Sequence, residues 1–118
     1  MKTLVLAFSL ALSAVCATSA SSNLTPQQTF EKRCGGCHGA DQAKEGPQLR
    51  AVFGRQAGKA PGFRHSEALK TARFLWDEAT LDKWMTDPES LVPDTDMAFR
   101  LNDKDDRAKI VEYLKQLK

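Results

Sequence analysis

Two cysteines three positions apart, with a histidine directly after the second, constrain this chain more than any other feature: Cys34-Gly35-Gly36-Cys37-His38. Cys-x-x-Cys-His is the attachment signature of a c-type haem. At the end of a helix, two thiols at this spacing reach both vinyl groups along one edge of the porphyrin, and the adjacent histidine is placed under the iron. One ring nitrogen of His38 then binds the metal, and the other becomes a donor that needs an acceptor to fix the ring. Two rival chemistries use the same residue types. A thioredoxin-like redox pair requires a βαβ context, which the sequence does not offer. A zinc site would need a fourth ligand beside Cys34, Cys37 and His38, and usually draws its ligands from two separate pairs.

The start of the chain indicates where those thiols work. Met1-Lys2 is positive, Leu4 to Val15 is a short apolar run, and small residues follow from Ala14 to Ser22. This is the layout of a secretory signal peptide, residues 1–20, with cleavage after Ala17 or Ala20, leaving one domain over residues 21–118. The expected destination is the periplasm. The apolar run is too short to span a bilayer, so no stable membrane anchor is expected. Cys16 could become the lipidated terminus of a lipoprotein, but Val15 is a poor residue just before such a cleavage site, which argues against a lipid-anchored form.

In an exported protein thiols normally oxidise. A disulfide between Cys34 and Cys37 would close a tiny loop and staple very little, so these cysteines do chemistry or hold something. Formal net charge falls from +2 to +1 when Lys2 leaves, with no basic excess pointing to nucleic acid. A mature domain of roughly 98 residues buries a modest fraction of its surface, and a large apolar cofactor at its centre would help it fold.

Helical signals dominate the rest. Thr25-Pro26-Gln27-Gln28 combines an N-cap, a proline at the first helical position and the glutamine of a capping box; the helix it opens runs through Phe30 to about Arg33. Five glycines and two prolines between Gly39 and Gly62 read as ordered loop. Ser66 caps a short helix through Lys70, and Asp77 a firmer one through Leu81, Trp84 and Met85, stopped before Pro88. Asn102 is the expected cap of the last helix. Asp103, Asp105 and Asp106 suit its positive end, Lys115 and Lys118 the other, and Ile110, Val111, Leu114 and Leu117, with Tyr113 beside them, form an apolar face. The fold class is all-α with long loops, and loops of that length imply that they wrap something.

On the far side of a haem iron, His65, Met85 and Met97 are the candidate ligands. Met85 shares an apolar helical stripe with Leu81 and Trp84, which favours core packing. His65 sits in the glycine-rich stretch close to the attachment site. Met97 follows a proline-led polar loop, Val92-Pro93-Asp94-Thr95-Asp96, suited to presenting a ligand to a buried metal, and is the preferred candidate.

Taken together, these features resemble a class I c-type cytochrome, of the branch that includes mitochondrial cytochrome c and bacterial cytochrome c2. The resemblance runs from Phe30 to Leu114. Gly46-Pro47-Gln48-Leu49 is similar to the family's Gly-Pro-x-Leu loop, which implies that the Pro47 carbonyl accepts the hydrogen bond of His38. Gly54-Arg55 and Trp76 match an arginine and a tryptophan near the haem propionates. Pro93-x-Thr95-x-Met97-x-Phe99 matches the loop carrying the axial methionine, and Phe30, Ile110 and Tyr113 fit the contact between first and last helices. The resemblance implies three main helices, short helices and long loops around one haem c held by two thioether bonds. It makes His38 and Met97 the iron ligands and Cys34, Cys37, Pro47, Arg55, His65, Trp76 and Thr95 cofactor-binding residues.

Several positions depart from the family pattern. Asp94 stands where glycine is usual, at a position that calls for positive φ, which Asp tolerates better than most residues. Trp84 replaces a tyrosine whose hydroxyl lies near the methionine sulfur. Leu69 replaces an asparagine of a buried polar network, and His65 replaces a tyrosine near a propionate, where an imidazole nitrogen could still donate. Pro26 falls at the glycine of the helix crossing, which implies a shorter first helix.

With both axial positions filled, iron has no vacancy for substrate, and Met/His ligation raises its potential relative to bis-histidine haem. The expected function is a periplasmic one-electron carrier and not an enzyme, moving electrons from a dehydrogenase or reductase to an oxidase or other acceptor. The alternatives are a haem enzyme or gas-binding protein with Met97 off the iron, and the dedicated cytochrome subunit of a dehydrogenase. Charge is segregated: Glu31 to Arg73 holds nine Lys/Arg against four Asp/Glu, whereas Thr86 to Asp106 holds two against seven. Helix capping accounts for Asp103, Asp105 and Asp106 but not for Asp87, Glu89, Asp94 or Asp96. The expected partner therefore presents a basic or mixed docking patch to Glu89, Asp94 and Asp96, in a small, salt-sensitive interface.

Overall fold

The computed structural model describes residues 23–118; the expected signal peptide, its cleavage sites and Cys16 lie outside the described residues. Five helices follow one another: α1 (Pro26–Arg33), α2 (Glu67–Thr71), α3 (Glu78–Thr86), α4 (Pro88–Leu91) and α5 (Lys104–Gln116). Two single antiparallel bridges, His38 with Ala43 and Gln56 with Leu75, are the only β pairing among the described residues. The three longer helices form the frame, and the architecture is all-α with long connecting loops.

Each long helix begins as its local sequence dictates. At α1 the Thr25 hydroxyl accepts from the Gln28 N–H at 3.2 Å, and the Gln28 side chain accepts from the Thr25 N–H at 3.0 Å, with Pro26 at the first helical position. Asp77 opens α3 in the same reciprocal way with Thr80. The cap of α5 corrects the sequence reading by one residue. It is Asp103, not Asn102, whose carboxylate accepts from the N–H groups of Asp105 and Asp106. A carboxylate carries the charge that the helix dipole favours there, while the Asn102 carbonyl accepts from the Arg107 guanidinium at 3.0 Å. Helix α4 was not signalled. Asp87 ends α3 and at once caps α4, so Pro88 starts a new helix where it stops the old one.

Packing follows the apolar faces. Helix α5 lies against α1 and α3, and α4 against α3. Phe30 and Tyr113 meet with ring centroids 4.9 Å apart at the α1–α5 contact. Phe30, Ile110, Val111 and Leu114 are buried there; each such side chain removed from water contributes about 1.5–3 kcal/mol. Ion pairs tie the same helices together. Arg33 of α1 reaches Asp106 at 2.6 Å, and Lys115 of α5 reaches Glu78 of α3 at 2.5 Å. The buried Arg107 pairs with Asp82 at 2.7 Å and donates to the Leu101 and Asn102 carbonyls, joining α5, α3 and the chain between them.

The glycine-rich stretch is ordered loop throughout. Its second half pairs with residues 74–76 through Ala57 N–H to Phe74 O (2.9 Å), Gly54 N–H to Trp76 O (2.7 Å) and Trp76 N–H to Arg55 O (2.8 Å). Gly58 has φ +73°, and a Cβ there would collide with the Leu69 carbonyl, so both the turn and the close approach exclude a side chain. In the loop before Met97, Asp94 adopts φ 63°, the left-handed conformation expected at that position, and its N–H donates to the Glu89 carboxylate at 3.0 Å.

Candidate functional site

The end of α1 places the attachment motif. Cys34 caps the helix, and the chain turns tightly through Cys37 N–H and His38 N–H, both donating to the Cys34 carbonyl at 3.1 and 2.9 Å. The imidazole of His38 then meets the carbonyl of Pro47, with Nδ1 at 2.8 Å from the oxygen. A carbonyl only accepts, so the proton is on Nδ1 and the lone pair of Nε2 is left for a metal. Gly46 makes the approach possible: a Cβ there would fall on the His38 ring. The Gly46 N–H donates to the Cys37 carbonyl at 2.8 Å, locking this loop against the motif it serves.

No disulfide joins Cys34 to Cys37. Burial, and next the neighbouring Cys37, push the Cys34 thiol up to about 12. The exposed Cys37 thiol is also raised, chiefly by its hydrogen bond with Glu45. Neither is a thiolate at neutral pH, which separates this pair from redox-active Cys-x-x-Cys sites, where a lowered thiol pKa creates the nucleophile.

These groups open onto a largely apolar cavity of about 360 Å³ enclosed by α1, α3, α5 and the long loops. Cys34, Cys37, His38 and Pro47 form one side of its lining. Arg55, His65, Trp76, Thr95 and Met97 line it as well, so the fold brings together residues from position 34 to position 97. Met85 also borders the cavity but is 5 % exposed within the core stripe of α3. The sulfur of Met97 accepts a hydrogen bond from the Trp84 indole N–H at 3.1 Å.

The polar part of the lining is built for an anion. Arg55 donates through Nη2 to the Arg50 carbonyl at 3.0 Å, while its Nε is buried without a partner. His65 is 8 % exposed and accepts from the Ala60 N–H through Nε2 at 3.1 Å, which puts its proton on Nδ1. Burial, reinforced by Arg55, lowers its pKa and keeps it neutral. Phe63, unremarked in the sequence, packs edge-on against this ring at 5.1 Å and lines the cavity; no spacing or motif marks it. The role of Gly46 was open to inference only through its place beside Pro47.

An apolar slot with two thiols beside it, an imidazole nitrogen free for iron and an orphaned guanidinium N–H fits a haem with its vinyl edge at the cysteines and its carboxylates near Arg55. Fold and site together define a small helical protein closed around a covalently attached haem. The Cytochrome c family model matches residues 26–118. Cytochrome c of Euglena viridis is 39% identical over 95 residues, covering 78% of this chain and 93% of that protein. Cytochrome c2 iso-2 of Magnetospirillum molischianum is 40% identical over 88 residues, 72% of this chain and 91% of that protein. Among solved structures, cytochrome cH from Methylobacterium extorquens superposes with a TM-score of 0.72 at 36% identity, covering 77% of this chain and 94% of that one. The chain belongs to the cytochrome c family, as a class I c-type cytochrome. It carries one covalently bound haem c, whose attachment motif Cys34, Cys37 and His38 fit, and its family is one of electron carriers.

Proposed function

We propose that the protein is a periplasmic one-electron carrier and not an enzyme, with haem c joined to Cys34 and Cys37 and iron held by His38 and Met97. Haem c supplies one iron that exchanges a single electron between its ferric and ferrous states. The chain's own residues orient that centre and keep it closed. Pro47 holds the His38 ring so that Nε2 is the ligating atom. Arg55 and His65 offer donors for the propionates; Trp76 and Thr95 complete the wall. The observation that carries the reading is that His38 and Met97 line one apolar cavity, whereas the other candidate ligands that border it are held by other contacts. Met85 is packed in the core, and one nitrogen of His65 is taken by the Ala60 N–H. The export signal read in residues 1–20 supports the periplasm, and no helix among the described residues is long and apolar enough to cross a membrane.

The expected partners are redox proteins with a basic or mixed patch that docks at the methionine loop. Asp94 and Asp96 are exposed there, and neither belongs to an ion pair among the described residues. Glu89 is exposed as well but accepts the Asp94 N–H, and Asp87 pairs with Arg100 at 3.0 Å, so Asp87 serves the fold. The deciding experiment is optical: the oxidised holoprotein should show the weak far-red sulfur-to-iron band, and the reduced protein should resist carbon monoxide at neutral pH. A missing band with ready carbon monoxide binding would place Met97 off the iron and favour a ligand-binding haem.

A further inference from the structure

We propose that α4 is a clamp on the loop that carries Met97: carboxylates at its start pin that loop on either side of the methionine and keep it closed over the iron. The inference rests on Met97 being the ligand. Asp87 caps α4, and Glu89 stands in its first turn. The Glu89 carboxylate accepts the Asp94 N–H at 3.0 Å, ahead of Met97 in the chain. The Asp87 carboxylate pairs with Arg100 at 3.0 Å, beyond it. Each contact has an ionised partner, which makes the stronger kind of hydrogen bond, and the two bracket the ligand.

Little else holds this loop. Among the described residues, no backbone hydrogen bond ties the span between Val92 and Leu101 to a helix. Its other hydrogen bond to a helix runs from the Trp84 indole to Met97 itself. Asp94, Asp96 and the run from Ala98 to Arg100 are exposed. The two ends are firm by contrast. Pro88, Val92 and Leu101 are buried, and the Leu101 N–H donates to the Met85 carbonyl at 2.7 Å. The Ser90 hydroxyl fixes the Asp87 carboxylate at 2.8 Å, so the clamp stands on an anchored element.

A span with an exposed backbone and few buried contacts opens locally at far lower cost than the whole fold. Opening moves Met97 off the iron and frees its position for a small ligand from solution. The clamp therefore keeps the carrier closed between encounters with its partners. An outside ligand binds no faster than the loop opens, so its rate reads the clamp.

The test uses the purified ferric holoprotein and neutral imidazole, whose binding is followed by loss of the far-red band. That band is read first in the unaltered protein; its absence would refute Met97 ligation itself, independently of the clamp. With the band present, Arg100→Ala and Glu89→Ala should each bind imidazole about threefold faster, the scale of one exposed charged contact. Arg100→Lys, which keeps the ion pair, should restore the slow rate, and Arg100→Ala should add nothing to Asp87→Asn. Denaturant midpoints should stay close to that of the unaltered protein. Unchanged rates, a rise in only one of the two alanine variants, no recovery in Arg100→Lys, or a rise matched by an equal loss of global stability overturns the proposal. Amide exchange of the unaltered holoprotein gives an independent reading. The Asp94 N–H should exchange more slowly than the Asp96 N–H, which has no partner among the described residues, and equal rates overturn the clamp.

Discussion

Asp94 shows how much can depend on one backbone angle. At φ 63° a side chain crowds the following carbonyl, and Asp is among the few residues that tolerate it. The turn it makes leads the chain toward Met97, and the Glu89 carboxylate steadies it through the Asp94 N–H. Asp94→Gly should leave stability unchanged or slightly higher. Asp94→Val, β-branched and unable to relax into this conformation, should cost about 1–2 kcal/mol. Denaturant unfolding of the holoprotein, followed by the haem absorbance, checks both. The family resemblance pointed to this angle because glycine is usual here. By contrast, nothing in the sequence showed that the Ala60 N–H would donate to His65, which depends on how a loop without helix or strand closes on itself.

At the scale of elements, helix ends were read from three or four consecutive residues because capping is local chemistry. Thr25, Ser66 and Asp77 cap where expected. The shift from Asn102 to Asp103 has a tertiary cause as well as a local one, since Arg107 draws the Asn102 carbonyl toward α3 and away from the helix start. The Asp103 carboxylate is held below the usual carboxylate range, first by the Asp106 N–H and, against the opposing effect of burial, also by the Asp105 N–H. A folded pKa below the unfolded value contributes stability that is present above about 3.9 and is lost as pH falls through the folded value. Asp103→Asn keeps an acceptor without a titrating charge. Its thermal midpoint should therefore fall less steeply than the wild-type midpoint between pH 5 and pH 2, as scanning calorimetry would measure; parallel slopes would remove Asp103 from the acid transition.

For the whole molecule, the segregation of charge acquires meaning only once internal partners are subtracted. Of the seven acidic residues from Thr86 to Asp106, Asp87 pairs with Arg100, Asp106 with Arg33, and Asp103 caps α5. Asp94 and Asp96 stay exposed beside Phe99, which is 44 % exposed and borders the haem cavity. An exposed apolar side chain on a loop that also carries two unpaired acids suits a transient interface whose on-rate depends on attraction. Reversing both charges, Asp94→Lys with Asp96→Lys, should slow electron transfer to the physiological partner about tenfold at low ionic strength and leave rates similar at high salt, where screening removes the difference. Stopped-flow rates across a salt series measure this, and unchanged low-salt rates would refute an acidic docking face.

What the sequence determined by itself was whatever a few neighbouring residues decide: the covalent haem motif, the caps of α1, α2 and α3, the apolar stripe of α5 and the long loops that had to enclose something. What the tertiary structure alone decided was which atoms meet across the cavity. His38 finds the Pro47 carbonyl nine residues on, the Trp84 indole finds the Met97 sulfur thirteen residues on, and Arg55 is left with a buried, unpartnered N–H. Those meetings depend on where loops close and how helices cross. Such geometry is set by burial summed over the whole chain and is written in no single stretch of it.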